Sequence, residues 1–219
     1  KNNLSMKKTI NTKEFIQILN KVCDDIEANK DYFSELDRAI GDGDHGVTMS
    51  IGWDAIKSKL NSLPADLSFD KICMQIASSF LSAVGASAGP LYATALMRGG
   101  AAIKDKMEIN AKDLSLFFTA AAKGIQERGK AELGDKTMLD VWMPSAKKIE
   151  EAVTNSDDIV RIMEITSTES EIAMNATKDM RSKKGRSSKL GERSIGFIDP
   201  GAASSQMIIK SFYETIKTL

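Results

Sequence analysis

Apolar residues recur every three or four positions along most of the chain, which is the period of an α-helix with one buried face. The pattern is clear from about Thr12, where one face carries Phe15, Ile18, Leu19, Val22 and Ile26. The same spacing predicts further helices over about 45–60, 68–84, 90–103, 110–125, 138–153, 156–180 and 202–217. Because no segment shows sustained strand alternation, we expect an all-α fold, an antiparallel eight-helix bundle or barrel.

Capping residues, prolines and glycines within this pattern predict where the helices begin and end. Ser68 and Ser156 are predicted N-caps, since a serine hydroxyl can accept a hydrogen bond from a helix N-terminus. Pro144 falls inside the sixth predicted helix and is expected either to kink or to break it. Residues 181–201 are predicted to be a polar, glycine-dotted loop of about twenty residues, and loops of that length in compact domains are usually functional.

Composition and charge narrow the functional class. The 219 residues include 30 Lys plus Arg and 30 Asp plus Glu, so the balance gives no electrostatic attraction to nucleic acid or to an anionic membrane. No apolar run reaches the ~18 residues that span a bilayer. Cys23 and Cys73 are expected to be buried, reduced thiols rather than a disulfide. We expect a cytoplasmic protein of one domain, residues 1–219, in which residues 1–5 could be an addition ahead of a natural start at Met6.

The densest chemistry lies in the segment DRAIGDGDHGVT, residues 37–48. Asp37, Asp42 and Asp44 fall within eight residues on a glycine-rich turn. Like charges this close need a positive partner, and carboxylate oxygens suit Mg²⁺ or Ca²⁺ better than Zn²⁺. N-capping of the next helix by Asp42 or Asp44 would explain one carboxylate but not three. We therefore predict a metal site, and Mg²⁺ there would also anchor nucleotide phosphates.

His45, the only histidine of the chain, follows this cluster directly. It could be a metal ligand, a phosphate contact or a plain capping residue, and a phosphohistidine role is the least favoured of the possibilities. The neighbouring carboxylates are expected to favour its protonated form until a metal binds.

Three other segments interrupt the helical pattern near predicted helix ends. VGASAGPLYAT, residues 84–94, places small residues at a helix start, which suits either phosphate binding or close helix packing. In GDKTMLD, residues 134–140, Asp135 is a predicted N-cap, and Met138 could pack on a flat base. Residues 183–201 hold five cations and an Asp-Pro-Gly turn, which would neutralise a polyphosphate or form a solvated charge run. Alternate connections of an antiparallel bundle fall at one end, so these segments could form a single site.

Five pieces of sequence, in order along the chain, resemble the nucleotide-binding L subunits of bacterial dihydroxyacetone kinases. They are GDGDHG (41–46), AGPLY (88–92), GDKTMLD (134–140), GRSSKLGERSIG (185–196) and DPGAAS (199–204). The resemblance implies an eight-helix barrel that holds ADP or ATP at one end, through a pair of Mg²⁺ ions on Asp37, Asp42 and Asp44. It implies nucleotide contacts from His45, Gly46, Val47, Thr48, Ala86, Ser87, Gly129, Met138, Lys184, Arg186, Asp199, Pro200 and Gly201.

The resemblance also implies partners. In phosphotransferase-linked members, bound ADP is rephosphorylated by a phosphohistidine-carrying M subunit of the sugar phosphotransferase system. The γ-phosphate then passes to dihydroxyacetone held on a histidine of a separate K subunit, so no residue of this chain is assigned as a general base. Some members also bind a transcription factor. An ATP-dependent subunit for another ketose or an acyl carrier, and a regulatory nucleotide-binding module, remain alternatives.

Overall fold

The computed structural model describes residues 6–219, so the expectation for residues 1–5 lies outside the described part of the chain. Residues 6–219 contain nine α-helices and two three-residue strands. The elements are β1 (Thr9–Asn11), α1 (Thr12–Ala28), α2 (Lys30–Ile40), α3 (His45–Ser62), α4 (Phe69–Ala83), α5 (Ala88–Ala101), β2 (Glu108–Asn110), α6 (Ala111–Gly129), α7 (Leu139–Ala152), α8 (Ile159–Ala176) and α9 (Pro200–Ile216). The all-α prediction is confirmed.

Eight of these helices form a closed ring. Helix α1 packs on α3, each helix from α3 to α9 packs on the next, and α9 packs back on α1. Neighbouring helices of the ring run antiparallel, which is the arrangement that the short connections between most of them favour. The N-termini of α3, α5, α7 and α9 therefore share one end of the ring. This is the expected eight-helix barrel, and α2 is an additional helix packed on α3 and α9.

Helix α2 is the element that the apolar pattern did not separate from its neighbours. Asn29 ends α1 with a ψ of 12°, and its side-chain amide donates to the Asp25 carbonyl at 2.8 Å. The chain re-enters a helix at Lys30 and leaves it at Ile40. Asp37 consequently lies in the last turn of a helix, which places its carboxylate beside the following turn.

The ring encloses an aromatic core that joins helices from different parts of the sequence. The Phe15 ring of α1 lies 5.0 Å from Phe69 of α4 and 6.5 Å from Phe212 of α9. Cys23 and Cys73 are buried free thiols, as predicted. Burial raises the pKa of Cys23 to about 12, so this thiol stays protonated.

The two strands pair antiparallel, with Ile10 opposite Ile109. They were not predicted because three residues are too few to show an alternating pattern. Both side chains are buried. Each strand leads directly into a long helix, so the pair ties together the starts of α1 and α6.

Several predicted helix ends need correction. Ser68 precedes α4, but its hydroxyl bonds to the Asp70 carboxylate at 2.7 Å rather than to the backbone. The prediction that Ser156 caps the next long helix is wrong, because α8 begins at Ile159 and Asp158 accepts its Val160 N–H at 3.1 Å. Pro144 lies inside α7 without breaking it.

The segment between α8 and α9 is more ordered than the predicted loop. It contains 3₁₀ turns at Thr177–Asp179 and Arg186–Ser194, the second interrupted at Gly191, where φ is +57°. The Gly196 N–H donates to the Lys178 carbonyl at 2.8 Å, which closes the base of the segment. No helix within residues 6–219 has the length and apolar character to cross a membrane.

Candidate metal and nucleotide site

The starts of α3, α5, α7 and α9 open onto one cavity of about 790 Å³, a size typical of small-molecule sites. The C-terminal ends of α2 and α6 complete its wall. Each helix N-terminus carries a partial positive charge, so four of them around one space favour an anionic ligand. The interrupted segments of the sequence thus meet at one place, as the antiparallel arrangement predicted.

The three aspartates of the acidic turn meet at the edge of this cavity. One oxygen from each of Asp37, Asp42 and Asp44 lies within 4.8 Å of the others. Burial, followed by the neighbouring Asp37 carboxylate, raises the pKa of Asp44 above its ordinary value. An all-carboxylate set of this kind fits a hard divalent cation, which would relieve the repulsion between the charges.

Asp37 also fixes the shape of the acidic turn. Its Oδ2 accepts the backbone N–H groups of Asp44 at 2.9 Å and of His45 at 3.0 Å, so it caps α3 from the end of α2. Asp44 occupies the N-cap position but makes no capping bond with its side chain. The capping alternative for Asp44 is therefore wrong, and Asp37 performs that role.

Two glycines of the turn are required by close approach. A Cβ on Gly41 would overlap the Asp37 carboxylate, and a Cβ on Gly46 would overlap the Lys30 carbonyl oxygen of α2. The first glycine leaves room for a cluster carboxylate, and the second lets α3 start directly against α2.

His45 is neutral in this setting, in contrast to the predicted bias towards protonation. Burial lowers the pKa of His45 to about 4 and outweighs the opposing effect of Asp37. Its Nε2 lies 2.9 Å from the Ser204 hydroxyl of α9, and its ring meets Phe33 edge-on at 6.2 Å. The imidazole is therefore held between α2 and α9 while it lines the cavity.

All but two of the nucleotide contacts implied by the resemblance lie in the cavity wall. They are His45, Thr48, Ala86, Ser87, Gly129, Met138, Lys184, Arg186, Asp199, Pro200 and Gly201. The exceptions are Gly46, which is buried against α2, and Val47, whose side chain is exposed to solvent. Both precede Thr48 on α3, whose helical turn directs them away from the cavity.

Arg186 links the segment before α9 to the acidic turn. Its guanidinium forms an ion pair with the Asp42 carboxylate, and both side chains remain accessible to solvent. Lys184 also lines the cavity. The 3₁₀ segment therefore covers one side of the cavity and brings cationic groups to the carboxylates.

Residues 39–214 match the DAK2 domain. The chain belongs to the DAK2 domain family. It is 39% identical over 199 residues to the ADP-binding subunit of PEP-dependent dihydroxyacetone kinase 1 of Listeria innocua, covering 90% of this chain and 93% of the relative. It is 37% identical over 189 residues to the corresponding Escherichia coli subunit, covering 86% and 90%. The predicted resemblance to the L subunits is confirmed.

A solved structure has the same fold. The dihydroxyacetone kinase of C. freundii, crystallised with AMP-PNP and Mg²⁺, superposes with a TM-score of 0.70 at 20% identity. The match covers 98% of this chain and 36% of that longer chain. This likeness shows that the ring of helices is a fold already known from a solved structure.

The start of α7 in this DAK2 domain differs from the prediction. Asp135 was predicted to be an N-cap, but α7 begins at Leu139. The Asp140 carboxylate instead accepts the N–H groups of Gly134 at 2.7 Å and Thr137 at 2.9 Å. The prediction is wrong because the capping carboxylate lies inside the first helical turn and reaches back to the loop.

Lys136 is a wall residue of the DAK2 cavity that sequence reasoning missed. It is buried, has a φ of +64°, and donates to the carbonyls of Thr177 at 2.8 Å, Met180 at 3.2 Å and Phe197. Burial lowers its pKa, while Asp199 opposes that effect. The motif GDKTMLD contained Lys136, but a lone lysine in a polar loop gives no signal of burial.

Asp199 stands at the start of α9 and is buried in the same wall. It caps α9 by accepting the Ala202 N–H at 2.9 Å. Burial raises the pKa of Asp199 to about 7, and this effect exceeds the lowering by the capping bond and by Lys136. The Asp-Pro-Gly turn is thus a buried helix start.

A layer of polar side chains lies beside the cavity, between it and the aromatic core. The Tyr92 hydroxyl of α5 lies 2.8 Å from Ser204 Oγ and 2.9 Å from Ser205 Oγ, both on α9. The Trp142 indole N–H of α7 donates to Ser205 Oγ at 2.8 Å. Through Ser204 the layer reaches His45 of α3. Four alternate helices of the ring are therefore joined across its interior just behind their N-termini.

Proposed function

We propose that this chain is the nucleotide-binding subunit of a dihydroxyacetone kinase, which transfers the γ-phosphate of bound ATP to dihydroxyacetone held on a separate K subunit. The observation that carries this proposal is the convergence of three carboxylates and four helix N-termini on one cavity. Its relatives in Listeria innocua and Escherichia coli are named ADP-binding subunits, and this chain covers about nine-tenths of each.

Asp37, Asp42 and Asp44 would hold a pair of Mg²⁺ ions. The donor set consists of oxygens alone, and it lies beside helix N-termini that suit phosphate. When bound, Mg²⁺ neutralises phosphate charge and polarises the phosphoryl group.

The remaining wall residues divide into a phosphate side and a base side. The starts of α3 and α5, with His45, Thr48, Ala86 and Ser87, would face the phosphates. Gly129 and Met138 would lie against the adenine, because the thioether adapts to a flat ring. Residues that would close the site over the nucleotide are Lys184, Arg186, Asp199, Pro200 and Gly201.

Catalysis by such a site would rest on position and charge. Phosphoryl transfer gathers negative charge on the transferred group, and fixed N–H donors and cations stabilise that charge best when they are already in place. This chain would supply the helix N-termini and Arg186. The dihydroxyacetone site and its histidine would belong to the K subunit.

The proposal includes two partners and a location. The K subunit would dock at the cavity mouth, and a phosphohistidine-carrying M subunit of the phosphotransferase system would recharge ADP in place. A cytoplasmic location is in keeping with the two unpaired, buried cysteines. We also propose that the chain acts as one domain, because α9 closes the ring on α1.

The decisive experiment is to denature the purified protein and quantify the nucleotide and magnesium that it releases. About one ADP and about two Mg²⁺ ions per chain would support a subunit that keeps its nucleotide. The same protein, mixed with a K subunit, the phosphohistidine donor and dihydroxyacetone, should yield dihydroxyacetone phosphate. Failure to bind ADP even with excess Mg²⁺ would refute the proposal, and binding without product would point to another acceptor.

A matched pair of variants makes this experiment specific. Asp42→Ala is expected to release both nucleotide and magnesium while circular dichroism shows an unchanged helical fold. Asp66→Ala changes an exposed aspartate in the loop before α4 and should leave both ligands bound. Retention of ligands by Asp42→Ala would contradict the metal assignment.

A further inference from the structure

In the polar layer behind the cavity, the donor and the acceptor of one hydrogen bond, between Trp142 and Ser205, are known with certainty. An indole N–H can only donate, so Ser205 accepts from Trp142 and must place its own proton elsewhere. The Tyr92 hydroxyl is its other partner within the described residues. If Ser205 did not donate to Tyr92, a fully buried O–H would be left unpaired, which is unfavourable.

The bond between Trp142 and Ser205 also determines which hydroxyl donates in the next two hydrogen bonds, through Tyr92 to Ser204 of α9. A phenol has one proton, so a Tyr92 hydroxyl that accepts from Ser205 donates to Ser204. Burial raises the pKa of Tyr92 to about 12, so the hydroxyl keeps that proton. Ser204 then has one proton to place, and its candidate acceptors are His45 Nε2 at 2.9 Å and the Gly201 carbonyl at 3.2 Å.

The imidazole is the better acceptor of the two. It is closer, and the Gly201 carbonyl, in the first turn of α9, also faces the N–H of the next turn of the helix. A ring nitrogen that accepts a hydrogen bond carries no proton, so the single proton of the imidazole lies on Nδ1. Within residues 6–219, Nδ1 has no hydrogen-bond partner, and the ring lines the cavity.

We propose that Tyr92 is a positioning residue that, through Ser204, holds His45 as the Nδ1–H tautomer and so provides a hydrogen-bond donor for an anion in the cavity. The inference deepens the proposed function and rests on it for the identity of that anion, a nucleotide phosphate. Tyr92 does not line the cavity: its side chain is buried against Phe80, with ring centroids 5.9 Å apart. It acts only through the hydroxyl chain.

The test uses the single histidine of the chain. In tag-free protein labelled with ¹⁵N, long-range ¹H–¹⁵N spectra show one imidazole, whose two nitrogen shifts report the tautomer. At pH 8, in EDTA and without nucleotide, the wild type is expected to show Nδ1–H. Tyr92→Phe removes the hydroxyl but keeps the ring, and it should give a mixture of tautomers because Ser204 loses its donor.

A control and a second variant keep the test decisive. Tyr213→Phe removes a hydroxyl with no partner among the described residues and should leave the spectrum unchanged. Ser204→Ala deletes the direct partner of His45 and should also lose the single tautomer, which covers the case in which Tyr92→Phe folds poorly. An Nε2–H ring in the wild type would overturn the proposal. So would a ring that stays Nδ1–H in both Tyr92→Phe and Ser204→Ala.

Binding provides a separate readout. Tyr92→Phe is expected to weaken ADP·Mg²⁺ binding by about 3- to 10-fold and to lower the unfolding midpoint of the unliganded protein, because the Ser205 hydroxyl loses its acceptor. Tyr213→Phe should bind as the wild type does. Unchanged ADP binding by Tyr92→Phe would overturn the role for Tyr92. A wild type that binds no nucleotide would refute the proposed function, while the tautomer in the unliganded protein would still test the hydroxyl chain.

Discussion

The Asp37 carboxylate accepts the backbone N–H of His45 at 3.0 Å, across the turn that joins α2 to α3. One side chain thereby caps a helix and belongs to the acidic cluster. Backbone hydrogen bonds therefore hold the Asp37 carboxylate in place, so a cation would find this ligand already positioned.

This double role can be separated by substitution. Asp37→Asn keeps an oxygen for the two N–H groups but removes a charge, so we expect a nearly unchanged melting temperature and at least about tenfold weaker Mg²⁺-dependent ADP binding. Asp37→Ala should also lose about 1 kcal/mol of stability with the cap. Calorimetric titration measures ADP binding by the two variants, and thermal melts measure their stability, with Asp66→Asn as the control. Binding of ADP·Mg²⁺ by Asp37→Asn at wild-type strength would contradict the assignment.

Lys136 and Lys130 form a natural comparison, because both have left-handed backbones but only Lys136 is buried. Lys136→Met should lower the free energy of unfolding by about 2–4 kcal/mol, since three carbonyls lose a charged donor. Lys130→Met should change it by less than about 0.5 kcal/mol. Urea denaturation measures both.

The same pair tests where Lys136 acts. Its three carbonyl partners flank the segment before α9, so trypsin should cut that segment faster in Lys136→Met than in the wild type or Lys130→Met. Equal cutting rates in all three proteins would show that the lysine does not hold this segment.

Asp199 makes the stability of the unliganded protein depend on pH. Its native pKa of about 7 exceeds the unfolded value of about 3.9, so the native state holds the proton more tightly. Its contribution is favourable below pH 4 and is lost as the pH rises to about 7. The free energy of unfolding of Asp199→Asn should therefore rise relative to that of the wild type between pH 4 and 7. Above pH 7 the difference between the two proteins should stay constant.

Urea denaturation in EDTA at several pH values measures this difference. Asp158→Asn is the matched control, since it alters another aspartate that caps a helix through its side chain but is only partly buried. A difference between Asp199→Asn and the wild type that stays constant with pH would mean that the buried carboxyl does not titrate as the structure indicates.

The ion pair of Arg186 with Asp42 predicts that loss of the arginine affects Mg²⁺ binding and ADP binding in opposite directions. The pair is exposed, so Arg186→Gln should shift the melting temperature by no more than about 1 °C. Without the guanidinium, Asp42 is freer to bind Mg²⁺ in the absence of nucleotide, whereas ADP binding should weaken. Arg193 is an exposed arginine of the same 3₁₀ segment, so Arg193→Gln is the control. Titrations of Mg²⁺ and ADP compare the two variants, and equal affinities in both would refute the prediction.

The parts of the fold and site that the sequence predicted depend on local pattern. Long amphipathic helices follow from apolar spacing, and the acidic cluster follows from three aspartates within one turn. The break at Asn29 escaped notice because a single polar residue there does not disturb the apolar period of α1.

The parts that were missed depend on distant contacts. Lys136 is defined by carbonyls 41, 44 and 61 residues away, and nothing in its neighbours encodes them. The neutrality of His45 is a similar case, because the burial that lowers its pKa comes from other helices, whereas the adjacent carboxylates suggested the opposite.

The ring of helices closes only when α9, which is synthesised last of the eight, packs on α1. The Ser211 hydroxyl of α9 bonds to Asp25 of α1 at 2.6 Å, across 186 residues of sequence. The acidic turn leaves the ribosome before α9 does, and the cavity lacks a wall until α9 has been synthesised and has docked. Ligand cannot guide the first stages of folding, and it can only stabilise the finished ring.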